Sequence, residues 1–146
     1  MQCIQFLFTQ DANLIRFFKY SRLLINMGST IDLVKNKALI SNVKDCILMN
    51  YLANGGSMIY NKIGNLNLLP NILAHYNPDS GANILSMAHI TDTYRATMDS
   101  DVEDSITLHI GDNEYLKFSC YDKNLYYYDT NTKTKQTVAP YIYFLQ

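Results

Sequence analysis

The chain of 146 residues has no tryptophan, three prolines, three cysteines and six glycines. Cys3, Cys46 and Cys120 are too few and odd in number for a disulfide framework, and their spacing forms no metal knuckle. Reduced thiols in an intracellular setting are the expectation, with no metal and no cofactor. Charge of one sign is also missing: twelve Lys and Arg against thirteen Asp and Glu leave a formal net charge of -1, and the basic residues are scattered. That pattern offers no electrostatic footprint for nucleic acid or for an anionic membrane. Apolar runs are cut by Arg, Lys or Asn well before the length needed to span a bilayer. Met1 to Phe8 has neither a basic start nor a long apolar segment, so it does not read as a secretory signal. There is no phosphate-cradling glycine loop and no zinc signature. Nothing in the spacing pairs a cysteine with His75, His89 or His109 as a nucleophilic dyad.

What the chain does have is 48% hydrophobic residues, 17% charged residues and twelve tyrosines. The first two figures fit one domain with one core over residues 1–146. The tyrosines favour strands, so a mostly β fold with one or two short helices is expected. Cys3 to Thr9 reads as a first strand. Leu14 to Leu24 is ambiguous, helical in its spacing of Leu14, Ile15, Phe17 and Phe18 but strand-like at its end. Asp32 is placed to cap a short helix or turn through Val34 to Lys37, and Ala38 to Val43 leads back into the sheet. Asp45 to Ala53 and Ser57 to Ile63 flank the turn signal Asn54-Gly55-Gly56, which predicts a hairpin with a flexible tip, either a flap over a cleft or a plain surface hairpin. Leu66 to Leu73 gives an extended piece broken by Pro70, and Ile84 to Thr91 a short helix. Strands follow at Tyr94 to Met98, Ser105 to Ile110, Tyr115 to Cys120 and Leu125 to Asp129, with a tight turn at Gly111-Asp112-Asn113. The carboxylates of Asp99 to Asp104 lack the pattern of a calcium loop. A polar linker, residues 131–137, precedes a last strand at Tyr141 to Phe144.

One stretch carries chemistry in its shape. In Leu23-Leu24-Ile25-Asn26-Met27-Gly28-Ser29-Thr30 an apolar run stops at a polar residue, a glycine and two hydroxyls. A buried strand that drives an acid into a cleft, followed by Gly for a tight turn and by inward-bonding hydroxyls, is the form of an aspartic-protease loop. There two adjacent carboxylates share one proton: the charged member activates water and the neutral one protonates the carbonyl oxygen. Asn26 stands in the acid's place, and an amide cannot act as the base. Asp79-Ser80-Gly81-Ala82 matches the catalytic tripeptide more literally, but it follows His75-Tyr76-Asn77-Pro78, a loop rather than a buried strand.

From about Gln5 to Thr130 the order of these signals resembles the aspartic protease region of copia-type retrotransposon polyproteins. The resemblance is carried by Leu23 to Leu33 with Asn26 where the family has Asp, by the hairpin at Asn54-Gly55-Gly56, and by Gly64. It continues through Tyr76-Asn77-Pro78, Gly81 to Ser86, Tyr94-Arg95 and Leu125 to Asp129. It implies a closed retropepsin-like β fold with a flap, working as a symmetric homodimer on a peptide or polyprotein substrate, each subunit giving one catalytic residue. On that resemblance Asn26, Gly28, Ser29 and Thr30 form the catalytic loop and Asn54, Gly55, Gly56 and Ser57 the flap tip. Ile84 to Met87 support the loop from below. The termini would lie near the subunit interface. The implied activity is that of an aspartic endopeptidase that Asn26 renders inactive; the alternative is a non-enzymatic, protease-like dimeric scaffold that holds a peptide in its groove without cutting it.

Overall fold

A computed structural model describes residues 20–51, 55–122, 125–131 and 136–137. The expected strands at Cys3 to Thr9 and Tyr141 to Phe144, and the first part of the ambiguous segment, lie outside these residues. Arg22–Asn26 forms β1, Leu33–Val34 β2, Ile40–Tyr51 β3, Ser57–Leu66 β4, Leu73–Tyr76 β5 and Asn83–Ser86 β6. Helix α1 (Met87–Thr93) follows, then β7 (Arg95–Thr97), β8 (Ser105–Gly111), β9 (Glu114–Asp122), β10 (Leu125–Asp129) and β11 (Gln136–Thr137).

The strands join in one mixed sheet ordered β3-β4-β5-β2-β6-β1-β10-β9-β8-β7, with β11 added against β9. Among the described residues the sheet is open, with β3 and β7 at its ends, rather than closed as expected. The mostly β character of the described residues, with one short helix among them, agrees with the composition.

β1 lies at the centre because its sequence can be buried on both sides. It pairs parallel to β6, Asn26 opposite Ser86, and antiparallel to β10, Asn26 opposite Leu125. Side chains alternate along a strand. Leu23 and Ile25 therefore enter the main core with Leu85, Ile90, Leu116, Phe118 and Tyr126, while Leu24 packs on the other face with Ala82, Ile84 and Leu125. An unbroken Leu-Leu-Ile run is what a strand buried on both faces requires. Tertiary context also reassigned several expected elements. Ile84 to Ser86 belong to β6 and the helix begins only at Met87, where Ser86 caps it. Val34 to Lys37 form no helix beginning at Asp32; Leu33–Val34 pair with β5, and Asn36 caps a 3-10 turn at Lys37–Leu39. The polar linker contains β11, which pairs Gln136 with Tyr115.

The hairpin is longer than expected, reaching back to Ile40 and on to Leu66. Its inner half is anchored, since Lys62 to Asn65 of β4 also pair with Leu73 to Tyr76 of β5. In the outer half Leu48 to Tyr51 pair with Ser57 to Tyr60. In the inner half Gly64 is required: a Cβ there would stand 2.8 Å from the Ser41 carbonyl oxygen.

Candidate functional site

The end of β1 delivers Asn26 into the interior, with 1% of its surface exposed. Its backbone carbonyl accepts from the Ser29 amide at 3.4 Å, closing a turn, and its side-chain Oδ1 accepts from the Gly28 amide at 2.8 Å. An Asx turn of this kind is local, which is why Asn or Asp followed two residues on by an unhindered amide favours it. Gly28 was expected to supply conformational freedom. Gly55 is the one glycine with positive φ among the described residues, so Gly28 serves instead as a small, exposed residue whose amide is the donor. The Gly28 contact fixes which end of the amide is oxygen. Asn26 Nδ2 is then left buried with no hydrogen-bond partner among the described residues.

The two hydroxyls expected in this loop separate. Ser29 is buried, and its Oγ donates to the Ile31 carbonyl at 2.7 Å while lying 3.4 Å from the Ile31 amide. These contacts cap the turn and stabilise the loop. Thr30 is exposed and makes no side-chain hydrogen bond among the described residues.

Beyond the loop stands a group that local sequence does not reveal. Asp32 is buried, and its Oδ1 accepts from the Ser86 amide at 2.7 Å while its Oδ2 lies 2.8 Å from His89 Nδ1. Its backbone carbonyl accepts from the His75 amide at 2.9 Å. One residue thus joins the exit of the Asn26 loop to β5, to β6 and to α1. His75 has a buried Nδ1 with no partner among the described residues, and burial holds its imidazole below the usual histidine range against the opposing pull of Asp32. Its ring meets Tyr60 edge-on at 6.4 Å, and the Tyr60 hydroxyl lies 2.7 Å from Ser80 Oγ in the interior.

Of the tip residues, Gly55 has φ +88°, the left-handed backbone that a turn needs, and Gly55, Gly56 and Ser57 are exposed; Asn54 lies outside the described residues. Behind the tip, Ile47, Met49, Tyr51 and Ile59 are exposed large apolar side chains, with Met49 directly opposite Ile59 in the pairing. Ile47, Met49 and Tyr51 fall at alternate positions of β3 and share a face. Asp79 is exposed in the turn between β5 and β6, with its amide bonded to Asn77 Oδ1. It does not extend a buried strand as Asn26 does.

Among the described residues no group of three or more His, Cys, Asp or Glu converges in a way that could hold a metal ion. No helix among them is long and apolar enough to cross a membrane. Cys46 and Cys120 are half-buried and form no disulfide among the described residues. The chain matches no protein-family model, no curated protein and no solved structure.

Proposed function

We propose that this chain is an aspartic endopeptidase domain of the retroelement type, a symmetric homodimer acting on a polyprotein, with Asn26 where the catalytic acid belongs. The supporting observation is the state of the Asn26 amide: Oδ1 is held by the Gly28 amide, and Nδ2 is buried with no acceptor among the described residues. A buried donor left unmade costs about 1–3 kcal/mol. A carboxylate in the same place keeps the Gly28 contact and replaces the unpartnered donor with an acceptor oxygen, the atom that shares a proton with a second carboxylate. Buried with no donor for its outer oxygen, such an acid would be held protonated or would share its proton with a second carboxylate, as this reading requires.

Two further features agree with this reading. The residue sits at the end of a central strand buried on both faces, as a preorganised catalytic group requires. The outer half of the β3–β4 hairpin carries an exposed apolar face, suited to cover an extended peptide. The same face suits a scaffold that binds peptide without cleaving it.

Peptidase activity of the Asn26→Asp protein decides between the two. In the presence of a denatured-protein substrate at mildly acidic pH, Asn26→Asp is expected to exceed the unmodified chain by at least about 10²-fold, the usual range for a general base. A pepstatin-like inhibitor should abolish the gain. A folded, dimeric Asn26→Asp protein that does not cut overturns the protease reading and leaves the peptide-binding scaffold. A mass of one chain across micromolar concentrations in sedimentation overturns the dimer.

A further inference from the structure

We infer that Asp32 and His89 are positioning residues for residue 26, so that the geometry of the loop is set from α1 as well as from its own strand. This rests in part on the proposed function, which makes residue 26 the reacting position. The physical case comes from connectivity. Asn26 ends β1 and Ser86 ends β6, and the two are opposite each other in parallel register. The loop between them in space is closed by one carboxylate, whose two oxygens take the Ser86 amide and the His89 imidazole. Asp32 is 5% exposed, whereas the His89 side chain is 47% exposed. A buried carboxylate with one oxygen unpaired is strongly unfavourable. If His89 is removed, Asp32 must therefore seek water or another donor, and the backbone that leads from it to Ser29 and Asn26 shifts with it.

The fold does not need this contact for its core. Ile90 is the one buried residue of α1, and it points into the main cluster without using the His89 ring. The chain's investment in an exposed imidazole over a buried acid is thus explained by the loop rather than by packing. Ser86 adds a second link, because its Oγ accepts from the His89 amide at 3.5 Å, tying the helix start to the strand end opposite Asn26.

The test compares His89→Ala with His89→Gln, the latter keeping a side-chain donor for Asp32. In the Asn26→Asp background, His89→Ala is expected to lower kcat by about tenfold or more while leaving KM within about twofold, as misplacement of a reacting group does. His89→Gln should restore most of the loss. An unchanged kcat in His89→Ala, or equal losses in both variants, overturns the inference. A second readout does not depend on activity: in the unmodified chain, His89→Ala should move the amide resonances of Gly28 and Ser86 and the side-chain amide of Asn26, with those of β8 and β9 unmoved. If Asn26→Asp proves inert, the proposed function fails by itself, and this spectrum still decides: stationary Gly28 and Asn26 signals refute the positioning role.

Discussion

Replacing Asn83 by alanine should be the most damaging single change of a polar residue in this fold. The side chain is fully buried and uses both ends. Its Oδ1 accepts from the Lys35 and Asn36 amides at 2.9 and 3.1 Å, and its Nδ2 donates to the Tyr20 and Arg22 carbonyls at 2.9 and 3.0 Å. It thus ties the chain entering β1 to the segment that leaves β2. Four bonds at a net ~1 kcal/mol each predict a loss of about 4 kcal/mol for Asn83→Ala. At about 3 °C per kcal/mol for a domain of this size, the melting midpoint should fall by roughly 12 °C. Asn83→Asp keeps the two accepted bonds but turns an oxygen toward two carbonyls, so at neutral pH it should be no better than alanine. It should recover in part as the pH falls and the buried acid gains a proton to donate. Urea unfolding by circular dichroism, at fixed protein concentration because association would add stability, measures both. A loss below about 1.5 kcal/mol for Asn83→Ala with an unchanged m-value would refute the claim that these four bonds organise the junction.

Gly64→Ala should cost about 2 kcal/mol by overpacking, because the added methyl meets the Ser41 carbonyl oxygen at 2.8 Å and Ile40 Cβ at 3.2 Å and neither is the end of a flexible chain. A urea midpoint equal to that of the unmodified chain would contradict it. His75 titrates below its unfolded value because burial disfavours the charged ring. A depressed histidine contributes stability that is present above the unfolded pKa and is lost as pH falls through the folded one, so the fold should weaken toward acid. His75→Gln should flatten that part of the stability-pH curve; an acid limb identical in the two proteins would show that other groups carry it.

Several elements were legible because their signals are local. The Leu-Leu-Ile run announced a central strand, Leu125 to Asp129 was placed at its observed bounds, and Gly111-Asp112-Asn113 marked the turn between β8 and β9, where Asn113 has φ 59°. The hairpin about Gly55 was legible too, but its extent to Ile40 and Leu66 was not, since pairing with β5 and the backbone contact at Gly64 are tertiary. Asp32 shows the limit most clearly. By sequence it resembles a helix cap, yet its side-chain partners lie 54 and 57 residues away in Ser86 and His89. No spacing rule connects them, and a half-exposed histidine gives no periodic signal. Ile84 to Ser86 misled for a related reason: a short apolar run fits a helix or a buried strand equally, and parallel pairing with β1 selected the strand. The expectation of a closed β fold came from resemblance, and the open edges at β3 and β7 depart from it.

The contact between Gly28 and the Asn26 side chain has a consequence for how such a chain can change over generations. The bond is accepted by Oδ1, an atom that asparagine and aspartate have in common, and the exchange between them alters neither volume nor the turn. Folding stability is the filter through which most substitutions are rejected, and it discriminates weakly at this position. A lineage can therefore exchange an amide for an ionisable oxygen here by a single atom while its proteins go on folding, so that an intact fold does not by itself report which of the two the position carries.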